Sequence, residues 1–516
     1  MKKLNILRAV GVLSSTTLLS RLTGYIRDAI IASFIGTSFY ADAFFVAFRI
    51  PNMFRRLLGE GALTPAIVPV VAELKEKDKN IRDIEIKSII SSGFFLLLLI
   101  TILGIILSPF LVKALAYGYT SNKELYELTV KLNRLMFPYL FFVCMVAIFM
   151  GVLNAYNHFF APSFSPVLLN LSMILSIILL AKFLTLPVYA LAIGVLIGGI
   201  LQLIMQFPFL KTIDIKPTIG FNIITNSTKS IYKLLIPSFF GLAITQINIL
   251  VDTLVASFLK EGTVSYLYYA DRILEIPIGV IVVSFATAIL PVISESAKVG
   301  NTNESRRQFK KVLSMCLIFI LPTMIIFIGF GKPILSTLFQ RKAFNDVSLH
   351  ETYVALIGYS VGLPFFSFNR IITPLFYAYK RVKAPVKAGF FAMITNISFD
   401  IILMPYGQLG LSLATSFSAV VNGLMLNYYF RKEHFSLKIT EDLSKYFKIL
   451  ILTILSAFPI FFLEKYFPYN SSFYIKLVYL ILSLTFFFVL YISLIFVFKI
   501  EGIRDSLWKI KQRLLR

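Results

Sequence analysis

Cysteine is almost absent: two residues in 516, Cys144 and Cys316, both inside apolar runs. They exclude a disulfide framework and a cysteine-rich metal site. The three histidines, His158, His350 and His434, lie far apart with no partner at helical spacing, so metal chemistry has no support. No GxxxxGKS/T loop, DxD pair or GxSxG elbow occurs, which removes the sequence basis for ATP hydrolysis or a serine nucleophile. Charge is scarce too. Charged residues make up 15% of the chain, against about 25% in a soluble globular protein. A cleaved signal peptide is not expected, because Arg8 and Arg21 interrupt the first apolar stretch and no A-x-A site follows.

What is present is apolar. Hydrophobic residues are 58% of the chain and the mean hydropathy is +0.82. That is roughly 300 residues, enough for about fourteen spans at about 20 residues each, and it excludes a soluble protein. The fold expected is an all-α integral membrane protein of about fourteen transmembrane helices. The apolar stretches fall near 6–35, 41–72, 88–115, 127–155, 163–182, 187–208, 231–259, 264–294, 309–337, 351–379, 386–404, 409–430, 446–464 and 472–498. An even number of spans puts both termini on one side. With the termini in the cytoplasm, the inner loops hold 32 Lys and Arg and the outer loops 11. That asymmetry is a positive-inside signal and explains most of the net charge of +24. The basic excess therefore reports topology, and no nucleic-acid partner is expected.

The chain contains a duplication. Asp28-Ala-Ile-Ile-Ala-Ser-Phe34 resembles Asp252-Thr-Leu-Val-Ala-Ser-Phe258. Ala66-Ile-Val-Pro69 resembles Ala288-Ile-Leu-Pro291, and Ala155-Tyr156 with Ala161-Pro162 matches Ala378-Tyr379 with Ala384-Pro385. The offsets are 224, 222 and 223. Six spans per repeat give both halves the same polarity, with a pseudo-two-fold axis along the membrane normal. The expected organisation is an N-terminal six-helix lobe (1–208), a connector (209–230), a C-terminal six-helix lobe (231–430), a linker (431–445), two additional spans (446–498) and a basic cytoplasmic tail (499–516).

Seven arginines fall inside or at the edges of spans: Arg21, Arg27, Arg49, Arg55, Arg56, Arg272 and Arg370. A charge in hydrocarbon costs at least about 2.5–3.5 kcal/mol, so each should face a cavity or a partner. Ion pairing or snorkelling is the plainer reading, and acids do stand nearby: Asp28 beside Arg27, Asp271 beside Arg272, and Asp42 and Glu60 flanking Arg49–Arg56. Those four acids are too few for the set. Arginine rather than lysine fills every position, and its planar fork binds phosphate bidentately and cannot deprotonate, which suits a diphosphate. Gly24, between Arg21 and Arg27, is expected to let α-helical geometry bend and bring both to one cavity.

A second group has the opposite character. Asp252, Asn396, Asp400 and Thr415 place oxygen in apolar spans, with Asn396 and Asp400 four apart on one helical face. Hard monovalent cations take oxygen ligands, so the group suits Na⁺ or H⁺. A protonated carboxyl hydrogen-bonded across helices is the alternative.

The string Ser20-Arg21, Gly24, Arg27-Asp28, then Asp42-Ala43-Phe44, Ala47-Phe48-Arg49-Ile50-Pro51-Asn52, Arg55-Arg56 and Glu60-Gly61-Ala62 resembles the MurJ (MviN) lipid II flippases of the MOP exporter superfamily. Tyr268-Tyr269-Ala270-Asp271-Arg272 and Ala384-Pro385-Val386-Lys387 extend the likeness over nearly the whole chain. The resemblance implies two parallel six-helix repeats plus two C-terminal helices forming a lipid-tail groove. It also implies a V-shaped alternating-access cavity and export of undecaprenyl-linked peptidoglycan precursor, for cell wall synthesis. It marks Arg21, Arg27, Arg55 and Arg272 as the cavity cations, with Ser20, Asp28 and Glu60 beside them. For members with a sodium site it points to Asp252, Asn396, Asp400, Thr415 and the carbonyl of Leu411. The loop between Asp400 and Leu411 is one residue shorter than the family pattern.

The expected protein is thus a transporter of the bacterial plasma membrane and not an enzyme, with no cofactor beyond Na⁺ as a coupling ion. Its expected partners are lipid II and membrane lipids, with the cell-wall synthesis machinery beside them, and it is expected to act as a monomer. Two rivals stand against it. A drug or polysaccharide exporter of the same superfamily would be expected to lack the arginine cluster and the two extra helices. A membrane glycosyl- or phosphotransferase would need a metal-binding carboxylate pair or a general base, and the sequence offers neither.

Overall fold

The computed structural model describes residues 6–498, apart from the side chains at 6–10, 60–62, 237–245 and 433. The expected basic tail from residue 499 and the side chain of Glu60 lie outside the described residues. Those residues form helices joined by turns and one longer irregular connector, 213–225, with no strand among them. The chain is all-α.

The fourteen apolar stretches of the sequence each fall on a helix or on consecutive helices. Among the described residues, eleven helical runs are long and apolar enough to cross a membrane, and one of them, Lys383–Lys432, covers two of the apolar stretches, 386–404 and 409–430. The first helix is not among the eleven: it carries Ser14–Thr17 as well as Arg21 and Arg27.

Two compact units emerge from the packing. The first takes the described residues to Ser265 together with Arg341–Phe344. It holds α1 (Ile6–Ile35), α2 (Phe39–Phe54), α3 (Thr64–Leu74), α4 (Lys79–Ile106), α5 (Ser108–Leu115), α6 (Lys123–Met136), α7 (Pro138–Ala155), α8 (Phe160–Leu180), α9 (Pro187–Thr212) and α10 (Asn226–Ala256). Helix starts follow local chemistry. Proline occupies the first turns of α3, α5, α7 and α9, where its missing N–H costs nothing. Asn122 caps α6 by accepting from Leu125 N at 3.2 Å, and Thr225 with Thr228 forms a capping box on α10. In this unit α1 packs on α8, α8 on α9, and α2 on α6. Helix α10 opens the second sequence repeat, yet it packs here against α3, α4 and α5. At the connector the Lys79 ammonium holds the exposed Asp214 carboxyl below its usual range.

The second unit runs from Tyr266 to Gln340 and from Asn345 onward. It contains all but the first turn of α11 (Thr263–Pro277), then α12 (Val283–Lys298), α13 (Thr302–Phe339), α14 (Asp346–Ala378), α15 (Lys383–Leu403), α16 (Gly407–Glu433), α17 (Leu443–Lys465) and α18 (Phe473–Val497). Its tightest seam joins α14 to α16. A Cβ on Gly358 would overlap Ser412, and one on Gly362 would lie 2.5 Å from Ser416 Oγ. Ser416 Oγ in turn donates to the Gly358 carbonyl at 2.7 Å. This is the small-residue packing by which helices approach closely in a bilayer, where apolar contact alone drives little.

Helices α2 and α3 are joined by a π-helical segment, Arg55–Leu63, and α11 and α12 by another, Ile278–Val282. Proline accounts for part of this. Pro277 closes α11 immediately before the second segment, and Pro65 follows the first. Neither can donate to the helical ladder. At the end of the first segment Thr64 Oγ1 donates to the Gly59 carbonyl at 3.2 Å.

Candidate functional site

In the first unit, α1 is a single continuous helix through Gly24. Arg21 is exposed on it, Ser20 is half-buried, and Arg27 is partly buried, with its side chain 13% exposed against 5% for Asp28. Arg27 is held at three nitrogens. Nε and Nη2 donate to Asp28 Oδ1 at 2.9 and 2.7 Å, and Nη1 donates to Asn170 Oδ1 at 2.9 Å. The paired reading of Arg27 thus holds, and a second partner, Asn170, joins from α8.

Along α2, Arg49 donates to the Thr253 hydroxyl of α10. Arg55, at the start of the π-helical segment, donates from Nε to Asn52 Oδ1 at 2.9 Å, while Arg56 is exposed. Asp42 does not serve the arginines as the sequence suggests. It is 2% exposed and accepts from Gly262 N at 2.6 Å, Ser265 N at 2.8 Å and the Ser265 hydroxyl at 2.5 Å. A carboxylate over the first amides of α11 satisfies orphan donors and complements the helix dipole. That geometry, rather than arginine pairing, fixes its place. Asp252, on α10, is half-buried in this unit.

In the second unit, Arg272 on α11 donates from Nη1 to Glu275 Oε2 at 3.0 Å, and its guanidinium lies 4.7 Å from the Tyr268 ring centre. Its side chain is 29% exposed. Arg370 is exposed on α14. The cation candidates form two close pairs. Asn396 Nδ2 donates to Asp400 Oδ2 at 2.6 Å on α15, both residues buried, and Thr415 Oγ1 donates to the Leu411 carbonyl at 3.1 Å on α16. Helices α15 and α16 pack on one another. The donor set is all oxygen apart from the Asn396 amide nitrogen, and it fits a hard monovalent ion or a proton. No group of three His, Cys, Asp or Glu suited to a metal occurs among the described residues.

Sequence reasoning missed Asn170, Thr253, Asn52 and Glu275. Asn170 carried a readable signal, since it is a lone carboxamide in an apolar run of α8. Glu275, at i+3 from Arg272, was readable by helical spacing alone.

Comparison with known proteins agrees with this arrangement. A family model described as lipid II flippase MurJ matches residues 31–480. A lipid II flippase MurJ of Burkholderia cenocepacia is 34% identical over 435 residues, covering 83% of this chain and 84% of that protein. A solved structure of lipid II flippase MurJ in an inward closed conformation superposes with a TM-score of 0.78 at 29% identity, covering 94% of this chain and 98% of that one. An inward-facing multidrug resistance MATE transporter of the MOP superfamily gives 0.64 at 17% identity over 82% of this chain and 98% of its own. That last likeness shows the fold alone. Family model, relative and structure converge: this multi-pass bacterial membrane protein belongs to the MurJ lipid II flippase family.

Proposed function

We propose that this protein carries lipid II from the inner to the outer leaflet of the bacterial plasma membrane by alternating access, with both termini in the cytoplasm. The observation that carries the reading is the set of arginines on long, predominantly apolar helices, Arg27 among them with its Asp28 and Asn170 partners. Arg21, Arg27, Arg55 and Arg272 hold the diphosphate, with Ser20, Asp28 and Glu60 beside them. The polyprenyl tail stays in lipid along α17 and α18. No covalent bond changes. With the cell interior negative, outward movement of anionic charge is favoured by about 2.3 kcal/mol per charge per 100 mV across the full field.

Asp400, Asn396, Thr415, the Leu411 carbonyl and Asp252 are the residues that would hold a coupling Na⁺ or H⁺. Such an ion would bias one conformation only through its differential affinity for the two. The protein works as a monomer, delivering substrate to the cell-wall synthesis machinery.

A reconstituted-vesicle assay with lipid II, with and without a Na⁺ gradient, tests the reading. Protein-dependent appearance of lipid II in the opposite leaflet is expected. Transport of cationic drugs without lipid II movement would favour a drug exporter, and turnover of the lipid into a new species would favour an enzyme.

A further inference from the structure

We propose that Asn170 is a positioning residue for Arg27, fixing the plane and direction in which that guanidinium meets an anion. The inference rests on the reading of Arg27 as a substrate contact. Asn170 is 5% exposed, on the face of α8 that packs on α1. Its carboxamide is spent on α1. Oδ1 accepts from Arg27 Nη1 at 2.9 Å, while Nδ2 donates to the Ser20 carbonyl at 3.0 Å and to Thr23 Oγ1 at 3.1 Å. The neighbours fix the amide's orientation. A guanidinium only donates and a carbonyl only accepts, so reversing the amide would set NH₂ against Arg27 and oxygen against Ser20.

The Asp28 contact meets one edge of the guanidinium: Nε and Nη2 converge on Oδ1 at 2.9 and 2.7 Å. A second anchor, on another helix, meets Nη1 and sets the plane from the other side. Asn170 supplies it, and the same side chain ties down the carbonyl of Ser20, nearly two turns earlier on α1. A neutral amide does this without cancelling the charge, whereas a second carboxylate at this position would neutralise the arginine and repel a diphosphate.

A residue that merely glues α1 to α8 would hold the helices together whether or not Arg27 were present. A positioning residue has no such independent value. The test is a double-mutant cycle on full-length protein in vesicles, reading the half-saturating lipid II concentration, the maximal rate and the thermal midpoint of Asn170→Ala, Arg27→Ala and the double variant. Losing a hydrogen bond to a charged group should raise half-saturation about tenfold in Asn170→Ala. The maximal rate should stay within about twofold, and the double variant should be no worse than Arg27→Ala alone. Additive effects in the double variant, or unchanged half-saturation in Asn170→Ala, overturn the proposal. If Arg27→Ala itself leaves half-saturation unchanged, the substrate reading of Arg27 has failed, which is a separate result. Should Asn170→Ala not fold, Asn170→Ser takes its place, since its short hydroxyl cannot reach both Arg27 and the Ser20 carbonyl.

Discussion

At the scale of the residue, the arginines divide by environment. Arg27 and Arg272 are paired, to Asp28 and Glu275, and Arg55 leans on Asn52. Replacing Arg27, Arg55 or Arg272 with Ala should slow lipid II flipping about ten- to a hundredfold while leaving expression near normal, since each loses a charge-assisted contact worth about 1.5–3 kcal/mol. Lysine should restore activity only in part, because the bidentate fork is gone. Vesicle flipping measured beside membrane protein yield checks this, and full activity of all three Ala variants would refute the diphosphate site. The arginines themselves were legible in the sequence, because an ionised group in an apolar span is costly wherever the chain places it. Their partners were mostly not. Asn170 lies 143 positions from Arg27, and only the packing of α8 on α1 makes them neighbours. Asp42 shows the converse: its nearness in sequence to Arg49 suggests an ion pair, whereas the fold sends it to the amides of Gly262 and Ser265. Charge spacing along one helix cannot foresee a helix terminus arriving from 220 residues away.

At the scale of the element, hydrophobic length located the helices, while proline and glycine decided their detail. The continuous stretch expected over 41–72 is three elements, because Pro65 and the π-helical Arg55–Leu63 segment interrupt it. A hydropathy pattern reports where a span lies and is silent about its hydrogen-bond register. The seam between α14 and α16 gives a sharp test of packing. Gly358→Ala would push a methyl into Ser412, and overpacking of this kind costs about 1–3 kcal/mol. The expected outcome is a lowered thermal midpoint of the purified protein, with Ser412→Gly restoring part of the loss in the double variant. The two additional helices permit a second test. Helices α17 and α18 dock on α13 through Tyr491 with the Ile318 carbonyl and the buried Lys476 with Ser336 and Gln340, while Glu441 and Asp442, in the turn before α17, pair with Lys310. Most of the remaining contact is apolar, and lipid chains can replace apolar contact at little cost. Truncation near Lys445 should therefore leave the rest of the chain folded, judged by monodispersity in detergent, while impairing transport of long-tailed substrate. Normal flipping by the truncated protein would show that α17 and α18 do not guide the tail.

At the scale of the whole molecule, the duplication is written twice, once in residues and once in backbone. Arg55 and Ile278, which open the two π-helical segments, are 223 positions apart, the same offset that relates Ala155-Tyr156 to Ala378-Tyr379. The repeat was legible because both halves keep their prolines and short motifs. That α10 would pack with the first unit was not, since sequence similarity reports ancestry and not the contacts of one conformation. The two halves have diverged in charge: the first collects arginine, and the second carries the buried Asn396–Asp400 pair. A carboxylate fully buried among apolar helices should either take up a proton or bind a cation, because desolvation disfavours the bare charge. Na⁺ and H⁺ should then compete at Asp400. Binding to the folded protein alone stabilises it by about 2.7 kcal/mol at a hundred times the dissociation constant. Na⁺ is therefore expected to raise the thermal midpoint of the purified protein at neutral pH, and less so as the pH falls, with K⁺ much weaker throughout. Asp400→Asn and Asp252→Asn should each remove most of that shift. Asp42→Asn supplies the control. It weakens the cap on α11 and should lower the midpoint by the same amount with or without Na⁺. A Na⁺ response that survives in both Asp400→Asn and Asp252→Asn would leave Asn396 and Asp400 as a hydrogen-bonded strut within α15, and the coupling ion would have to be sought elsewhere.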